Sequence, residues 1–256
     1  MIKVIICMIA GLGAGLGTGF AGMSAAAVIS PMLITFLGID PYMAVGIALA
    51  SDVLASAASA VTYGKNKNID IKNGIIMMIS VLCFTTVGSY VASIVPKTTM
   101  GSFSVFMTLL LGIKFIIKPV VEPKKRFESA TVKQKAIRSV ICGSLVGFIC
   151  GFVGAGGGMM MLLVLTSVLG YELKTAVGTS VFIMSATALT GAASHFAIGG
   201  MPDTEALAIC VISTLVFAQI AAVFANKASP KTLNRITGAI LVILGAAILV
   251  VNYFGK

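Results

Sequence analysis

Two side chains of this 256-residue chain could do chemistry in surroundings that are otherwise apolar. Asp52, in AVGIALASDVLASA, is the one acid inside an apolar segment, and His195, in GAASHFAIGG, is the one histidine. A carboxylate in hydrocarbon is costly unless it is paired, solvated or protonated. Asp52 therefore predicts proton coupling, with a protonated packing residue hydrogen-bonded to Ser51 or Ser56 as the alternative. A histidine changes charge near neutral pH, so His195 predicts contact with an anion or a proton, with an interfacial histidine as the alternative.

Glycine clusters are the second feature that could bind a ligand. GFAG begins at Gly19 and GFVGAGGG begins at Gly151, each inside a long apolar segment. A helix that restarts after such a break offers free backbone N–H groups and a partial positive charge to an anion. Together with nearby hydroxyls, the predicted substrate-binding residues are Gly19, Gly22, Ser24, Ser51, Gly154, Gly156, Gly157, Gly158, Thr179, Ser180 and His195.

Helix packing is the alternative explanation for many of these glycines. Small residues at a spacing of four let membrane helices approach closely. Two such series are present: Gly11, Gly15 and Gly19, and Gly143, Gly147 and Gly151. We assign the outer glycines of each series to packing and the clusters at the breaks to ligand contact.

Motifs for enzymatic or metal chemistry are missing from the sequence. GxxxxGK[ST], HExxH and a Ser/His/Asp set do not occur, and GAGGG does not follow a strand as a dinucleotide site requires. One histidine and five cysteines without a CxxC pair cannot assemble a usual metal site. We therefore predict no enzyme, no cofactor and no metal.

Composition places these residues in a membrane. The chain is 58% hydrophobic and 10% charged, with a mean hydropathy of +1.08, whereas soluble domains carry about 25% charged residues. Its apolar runs reach the roughly 20 residues that a membrane helix needs, and they lack the alternation of a barrel strand. The sequence predicts an all-α, multi-pass integral protein of the cell membrane.

The net charge of +10 has a membrane explanation as well. Eight of the eighteen Lys and Arg residues lie between Lys114 and Arg138, around the one sizeable hydrophilic segment. Basic residues of this kind mark cytoplasmic loops. We therefore expect the lipid bilayer and a small anion as partners, leave a homodimer open, and expect no nucleic acid.

An internal repeat organises the chain. At an offset of 132, GFAG matches GFVG, and ten of the 35 positions from Gly15 to Leu49 are identical in the second copy. We predict transmembrane repeat 1 at residues 1–119, a basic cytoplasmic linker at 120–136 and transmembrane repeat 2 at 137–256. The predicted apolar segments are 4–38, 42–63, 74–95 and 101–118 in the first repeat, and 137–170, 175–198, 204–226 and 234–254 in the second.

The opening segment of each repeat is too long for one crossing and is interrupted by glycines. Loop charges indicate how it runs, because KNKNIDIK after the second segment holds three Lys, whereas its counterpart GGMPDTE holds two acids and no base. Equivalent loops on opposite sides require a hairpin or re-entrant opening segment. The repeats would then be inverted, each with three helices plus a glycine-broken helical hairpin, about 8–10 membrane segments in total. Eight plain helices in parallel repeats are the alternative.

These motifs together resemble the TauE/SafE family of sulfite exporters. The resemblance rests on the duplicated GFxG bend, the LG that ends each opening segment, the AVG that begins the next, and GAxxH followed by a PD loop. It covers essentially the whole chain. Repeat 2 matches the pattern well at Gly151, Phe152, Gly154, Gly156, Gly157, Gly158, Ala176, Val177, Gly178, Thr179, Ser180, Gly191, Ala192 and His195. In repeat 1, Ile47 and Ala48 replace Thr-Ser, Met23-Ser24-Ala25 replaces the glycine run, and Tyr63 stands at the histidine position.

The resemblance implies a bacterial inner-membrane carrier of small sulfur-containing anions such as sulfite, sulfonates or thiosulfate. Transport would be secondary, by alternating access, with the bends binding the anion. The alternatives left open are a non-transporting membrane scaffold or accessory subunit, and an anion channel.

Overall fold

The computed structural model describes residues 1–94, 132–153 and 156–254, together with residues 113, 116 and 117. Regular secondary structure in these residues is helical, as the composition predicts. A π-helical turn, Val164–Val168, follows α6. The α-helices are α1 (Ile2–Ala21), α2 (Ala26–Leu37), α3 (Pro41–Lys65), α4 (Ile71–Ile94), α5 (Val132–Val153), α6 (Gly156–Leu163), α7 (Leu173–Gly199), α8 (Thr204–Lys227) and α9 (Pro230–Phe254).

Five of the described helices are long and apolar enough to cross a membrane. They are α1, α3, the part of α4 up to Val91, α7 and α8. The segment predicted at 101–118 and most of the predicted linker lie outside the described residues. Helix α5 begins at Val132, inside the range predicted as linker.

The opening segment of repeat 1 is broken at its glycine cluster. Helix α1 ends where Gly22 adopts φ +60°, a conformation that glycine reaches without the strain of a Cβ. Residues 22–25 form what we call the first bend, and α2 starts at Ala26. In repeat 2, α5 ends at Val153 and α6 starts at Gly156, and we call the start of α6, residues 156–158, the second bend.

Helices α3 and α7, which are equivalent in the two repeats, pack antiparallel at the centre. An added Cβ on Gly46, near the start of α3, would lie 3.2 Å from Cβ of His195, near the end of α7. One on Gly178, near the start of α7, would lie 2.9 Å from Cβ of Tyr63. An antiparallel pair of equivalent helices favours repeats that are inverted about an axis in the membrane plane.

Helix α1 runs parallel to α8. Lys3 contacts Asp203 at one end of the pair, and Gly19 packs against Ala221 at the other. Only four residues join α7 to α8, so α8 runs in the direction opposite to α7. Because α7 is antiparallel to α3, α8 points the same way as α3, against which it packs. Because α1 and α3 therefore point the same way, α2 returns the chain, and α1 and α2 form a hairpin.

The outer glycines pack helices together, as their spacing predicts. A Cβ on Gly15 would lie 2.6 Å from the Thr214 carbonyl of α8, and one on Gly143 would lie 2.8 Å from the Met77 carbonyl of α4. The glycine face of α1 in repeat 1 thus packs against α8 of repeat 2, and the glycine face of α5 in repeat 2 packs against α4 of repeat 1. This cross-packing brings the two bends towards the middle of the molecule.

Candidate functional site

The two bends touch through bare backbone. Gly158, in the first turn of α6, lies so close to the first bend that an added Cβ would overlap the backbone nitrogen of Ser24 and lie 2.7 Å from the carbonyl carbon of Met23. Any side chain at this position would push the bends apart. The predicted site residues Gly158 and Ser24, one from each repeat, are therefore neighbours.

Ser180 of α7 also reaches the first bend. Its buried hydroxyl donates a hydrogen bond of 2.7 Å to the Gly22 carbonyl. The equivalent residue of repeat 1 is Ala48, which has no hydroxyl to donate. The hydroxyl of repeat 2 thus serves the bend of repeat 1.

Asp52 is fully buried in the middle of α3 and faces the first bend. Its Oδ1 accepts a hydrogen bond of 2.7 Å from Ser56. The Ser24 hydroxyl, the Ala25 backbone N–H and the Thr18 hydroxyl also interact with the carboxyl. Oδ2, however, has no partner within hydrogen-bond geometry. The start of α2 and Asp52 thus form one polar centre inside the membrane region.

The first bend is held by its own hydroxyls as well. Thr18 donates to the Met23 carbonyl at 3.0 Å, and the Ser24 hydroxyl accepts from the Ala26 N–H at 3.3 Å. Tyr63, also fully buried, donates from its hydroxyl to the Gly19 carbonyl at 2.9 Å. Sequence reasoning did not select Thr18 or Tyr63 as site residues. The one available signal was that Tyr63 occupies the repeat position of His195.

His195 lies buried against the start of α3. Its Nδ1 is 3.1 Å from the Tyr42 carbonyl. The rings of His195 and Tyr42 are tilted by 32°, with their centroids 4.1 Å apart. Because a carbonyl only accepts, Nδ1 carries a proton, and Nε2 of the neutral ring holds a lone pair. The ring also interacts with the Gly151 backbone, but Nε2 has no hydrogen-bond partner. His195 therefore lies beside the end of α5, away from the first bend.

Two predicted site residues lie elsewhere. The Ser51 hydroxyl donates to Ile47 in its own helix at 2.9 Å. Thr179 accepts at 3.0 Å from the Asp70 N–H, in the loop that follows α3. Of the other predicted site glycines in repeat 2, Gly156 and Gly157 begin α6, and Gly154 lies outside the described residues.

The membrane faces carry the clearest electrostatic effects. Asp203 caps α8 and pairs with Lys3 at 2.6 Å, and this hydrogen bond lowers the pKa of the Asp203 carboxyl. At the other face Tyr171 donates to Asp70 at 2.7 Å, and burial raises the pKa of the Tyr171 hydroxyl. These contacts anchor the two equivalent loops at opposite ends of the α3–α7 pair. Within the described part of the chain, no three His, Cys, Asp or Glu side chains group as a metal site.

The fold and its membrane-buried polar centre define a multi-pass helical membrane protein. Comparison with known proteins indicates that it is a membrane transporter. Residues 7–248 match the family described as Sulfite exporter TauE/SafE, so the chain belongs to this family.

The names of individual relatives also indicate a membrane transporter. The chain is 26% identical to the probable membrane transporter protein YunE of Bacillus subtilis (strain 168), over 99% of this chain and 100% of the relative. It is also 26% identical to a probable membrane transporter protein of Methanocaldococcus jannaschii, over 90% and 87% of the two chains. A third relative, a probable membrane transporter protein of Haemophilus influenzae, is 26% identical over 77% of this chain and 75% of the relative. The transporter names are consistent with the prediction that the chain is not an enzyme.

Proposed function

We propose that this chain is a secondary transporter that exports small sulfur-containing anions by alternating access. The predicted cargo is sulfite, thiosulfate, or a sulfonate such as sulfoacetate or a taurine-derived compound. The observation that carries the proposal is the meeting of both broken segments at a buried centre of hydroxyls, backbone N–H groups and one carboxyl. Family membership supports the class of cargo.

The anion is held by dipoles in this proposal. Lys and Arg residues of the described membrane helices lie near helix ends, as Lys3, Lys65 and Lys227 do. The first bend instead offers the Ser24 hydroxyl and the start of α2, and the second bend offers the glycines that begin α6. A helix start binds an anion through free N–H groups and its partial positive charge. We therefore assign anion contact to the two bends.

Alternating access follows from inverted repeats in this proposal. The antiparallel packing of α3 against α7 supports that arrangement. The reciprocal packing of α1 on α8 and of α5 on α4 supports it as well. Rocking one repeat against the other around the bends would expose the centre to each side in turn. Asp52, at the centre, would bind the coupled proton.

Transport by the purified protein in proteoliposomes tests the proposal. We expect saturable uptake and counterflow of sulfite, thiosulfate or sulfoacetate, with chloride as the comparison anion. As a control substitution, Val61→Leu on the lipid-facing side of α3 should leave transport unchanged, because Val61 is 58% exposed. The same anions should raise the thermal midpoint of the detergent-solubilised protein.

Two results would overturn the proposal. Flux that never saturates and far exceeds carrier rates would make the chain an anion channel. Absence of both flux and thermal stabilisation across the anion panel, with a fixed protein partner in purification, would make it a scaffold or accessory subunit.

A further inference from the structure

The Oδ2 atom of Asp52 is the least satisfied polar group at the centre. Asp52 is 0% exposed, and only its Oδ1 has a hydrogen bond of good geometry, from Ser56 at 2.7 Å. Oδ2 is buried without a partner. Buried polar atoms are otherwise almost always paired, so this atom points to a ligand.

Groups from several elements face the carboxyl. Thr18 comes from α1, Ser24 and the Ala25 N–H from the first bend, and Ser56 from α3 itself. Among the described residues, the one titratable side chain that interacts with Asp52 is the buried thiol of Cys150, near the end of α5. Lys, Arg and His side chains are not among its interacting groups in this part of the chain. A charge on Asp52 would therefore lack a cationic partner in its surroundings.

The two protonation states of Asp52 need different partners at Oδ2. An ionised carboxylate needs a further donor, whereas a protonated carboxyl presents an O–H that needs an acceptor. An oxyanion supplies that acceptor. Protonation also makes the carboxyl a weaker acceptor, so that the Ser24 hydroxyl and the Ala25 N–H become available to the same anion.

The start of α2 favours this occupant. The helix has 12 residues, and its N-terminal partial charge stabilises a nearby negative charge. An ionised Asp52 already supplies one negative charge to this helix start. An added oxyanion would be repelled by the ionised form and hydrogen-bonded by the neutral form.

We propose that the oxyanion binds between the first bend and Asp52 as a hydrogen-bonded pair with the protonated carboxyl. One proton then binds with each anion, stays on Asp52 while the anion is held, and leaves to water after the anion does. No covalent bond of the anion changes. This inference rests on the proposed function, and it makes Asp52 both the proton carrier and a direct anion ligand.

Repeat 2 lacks the equivalent apparatus. At the repeat offset, Asp52, Ser56, Ser24 and Thr18 are replaced by Met184, Ala188, Gly156 and Cys150. Met184 is buried and cannot donate a hydrogen bond. Among the described residues, we therefore place the proton–anion site at the first bend.

Asp52→Asn and Asp52→Leu separate the donor role from the charge. The asparagine amide keeps an N–H donor at every pH, whereas leucine removes it. Thiosulfate and methanesulfonate are suitable probes because their charge stays constant from about pH 5 to about pH 8. Any change of affinity with pH then comes from the protein. Binding is measured by isothermal titration in detergent.

The wild type should bind these anions more tightly as pH falls, approaching about tenfold per pH unit where Asp52 is ionised. Asp52→Asn should bind at every pH with a flat profile. Asp52→Leu should lose about tenfold to hundredfold in affinity, since a hydrogen bond to a charged group is removed.

The proposal is wrong if the wild-type profile is flat, or if Asp52→Asn loses as much affinity as Asp52→Leu. Proton uptake by the wild type in weak buffer checks it without any variant, with uptake of about one proton per thiosulfate expected above the carboxyl's titration range. Anion binding without proton uptake would overturn the inference and leave the proposed function standing. Absence of any anion binding by the wild type would overturn both.

Discussion

The two bends share a sequence pattern but differ in chemistry. The first is surrounded by hydroxyls and a carboxyl, and Tyr63 and Ser180 bind the Gly19 and Gly22 carbonyls. Around the second, the equivalent positions are occupied by small or apolar residues, and His195 makes its hydrogen bond to Tyr42. The sequence repeats the glycine pattern, whereas the polar side chains lie around one copy of it. Among the described residues, the polar centre therefore belongs to the first bend.

Adding an acid at the repeat position of Asp52 should have the largest effect on stability. Met184→Asp places a carboxyl at the repeat position of Asp52, where Ala188 stands in place of the hydrogen-bonding Ser56. We expect a loss of about 3 kcal/mol in the free energy of unfolding, because an unpaired acid enters the membrane interior. Reversible unfolding in mixed micelles measures it, with Met184→Leu as the control. A cost no larger than that of the leucine variant would show that the second bend tolerates the same chemistry.

Filling the contact between the bends should be the next largest change. Gly158→Ala adds a methyl group against the Ser24 backbone, and overpacking of this kind costs about 1–3 kcal/mol. The control is Gly64→Ala, where the nearest atom would be 3.6 Å away. Both glycines are helical, so the difference between the two thermal midpoints isolates the contact. Equal midpoints would mean that the bends are not packed together.

Removal of the tyrosine hydroxyl should destabilise the first bend by less. Tyr63→Phe deletes the hydrogen bond to Gly19 and leaves that buried carbonyl without it, at a cost of about 1–2 kcal/mol. His195→Phe is the matched change in repeat 2. Amide hydrogen exchange should rise in α2 for the first variant only. Faster amide exchange at α6 in the Tyr63→Phe variant would contradict the assignment of this hydrogen bond to the first bend.

The smallest effect should come from the membrane face. The lowered pKa of Asp203 means that its pairing with Lys3 stabilises the folded chain above the unfolded value of about 3.9. This contribution is lost as pH falls through the lower folded pKa. The thermal midpoint of Asp203→Asn should thus lie below that of the wild type at neutral pH and converge with it in acid. High salt should also shrink the difference, because both side chains are about one-third exposed.

Much of the local structure was predictable from the residues. Apolar runs predict the membrane helices, and the glycine clusters predict the breaks, since Gly22 adopts a conformation that other residues strain to reach. The candidate site was predictable only in part. Ser24, Ser180 and Gly158 do meet at the first bend, whereas Ser51 bonds within its own helix and Thr179 contacts a loop.

The sequence by itself determined that this is a helical membrane protein whose glycine motifs occur twice, because length, hydropathy and repeated motifs are local properties of the chain. The tertiary structure decided which of its polar groups meet. Asp52 faces the first bend, and a serine from the other repeat binds that bend, because antiparallel packing sets the level and rotation of α3 and α7. Such distant contacts depend on how helices pack against one another, which the hydropathy of a single segment does not encode.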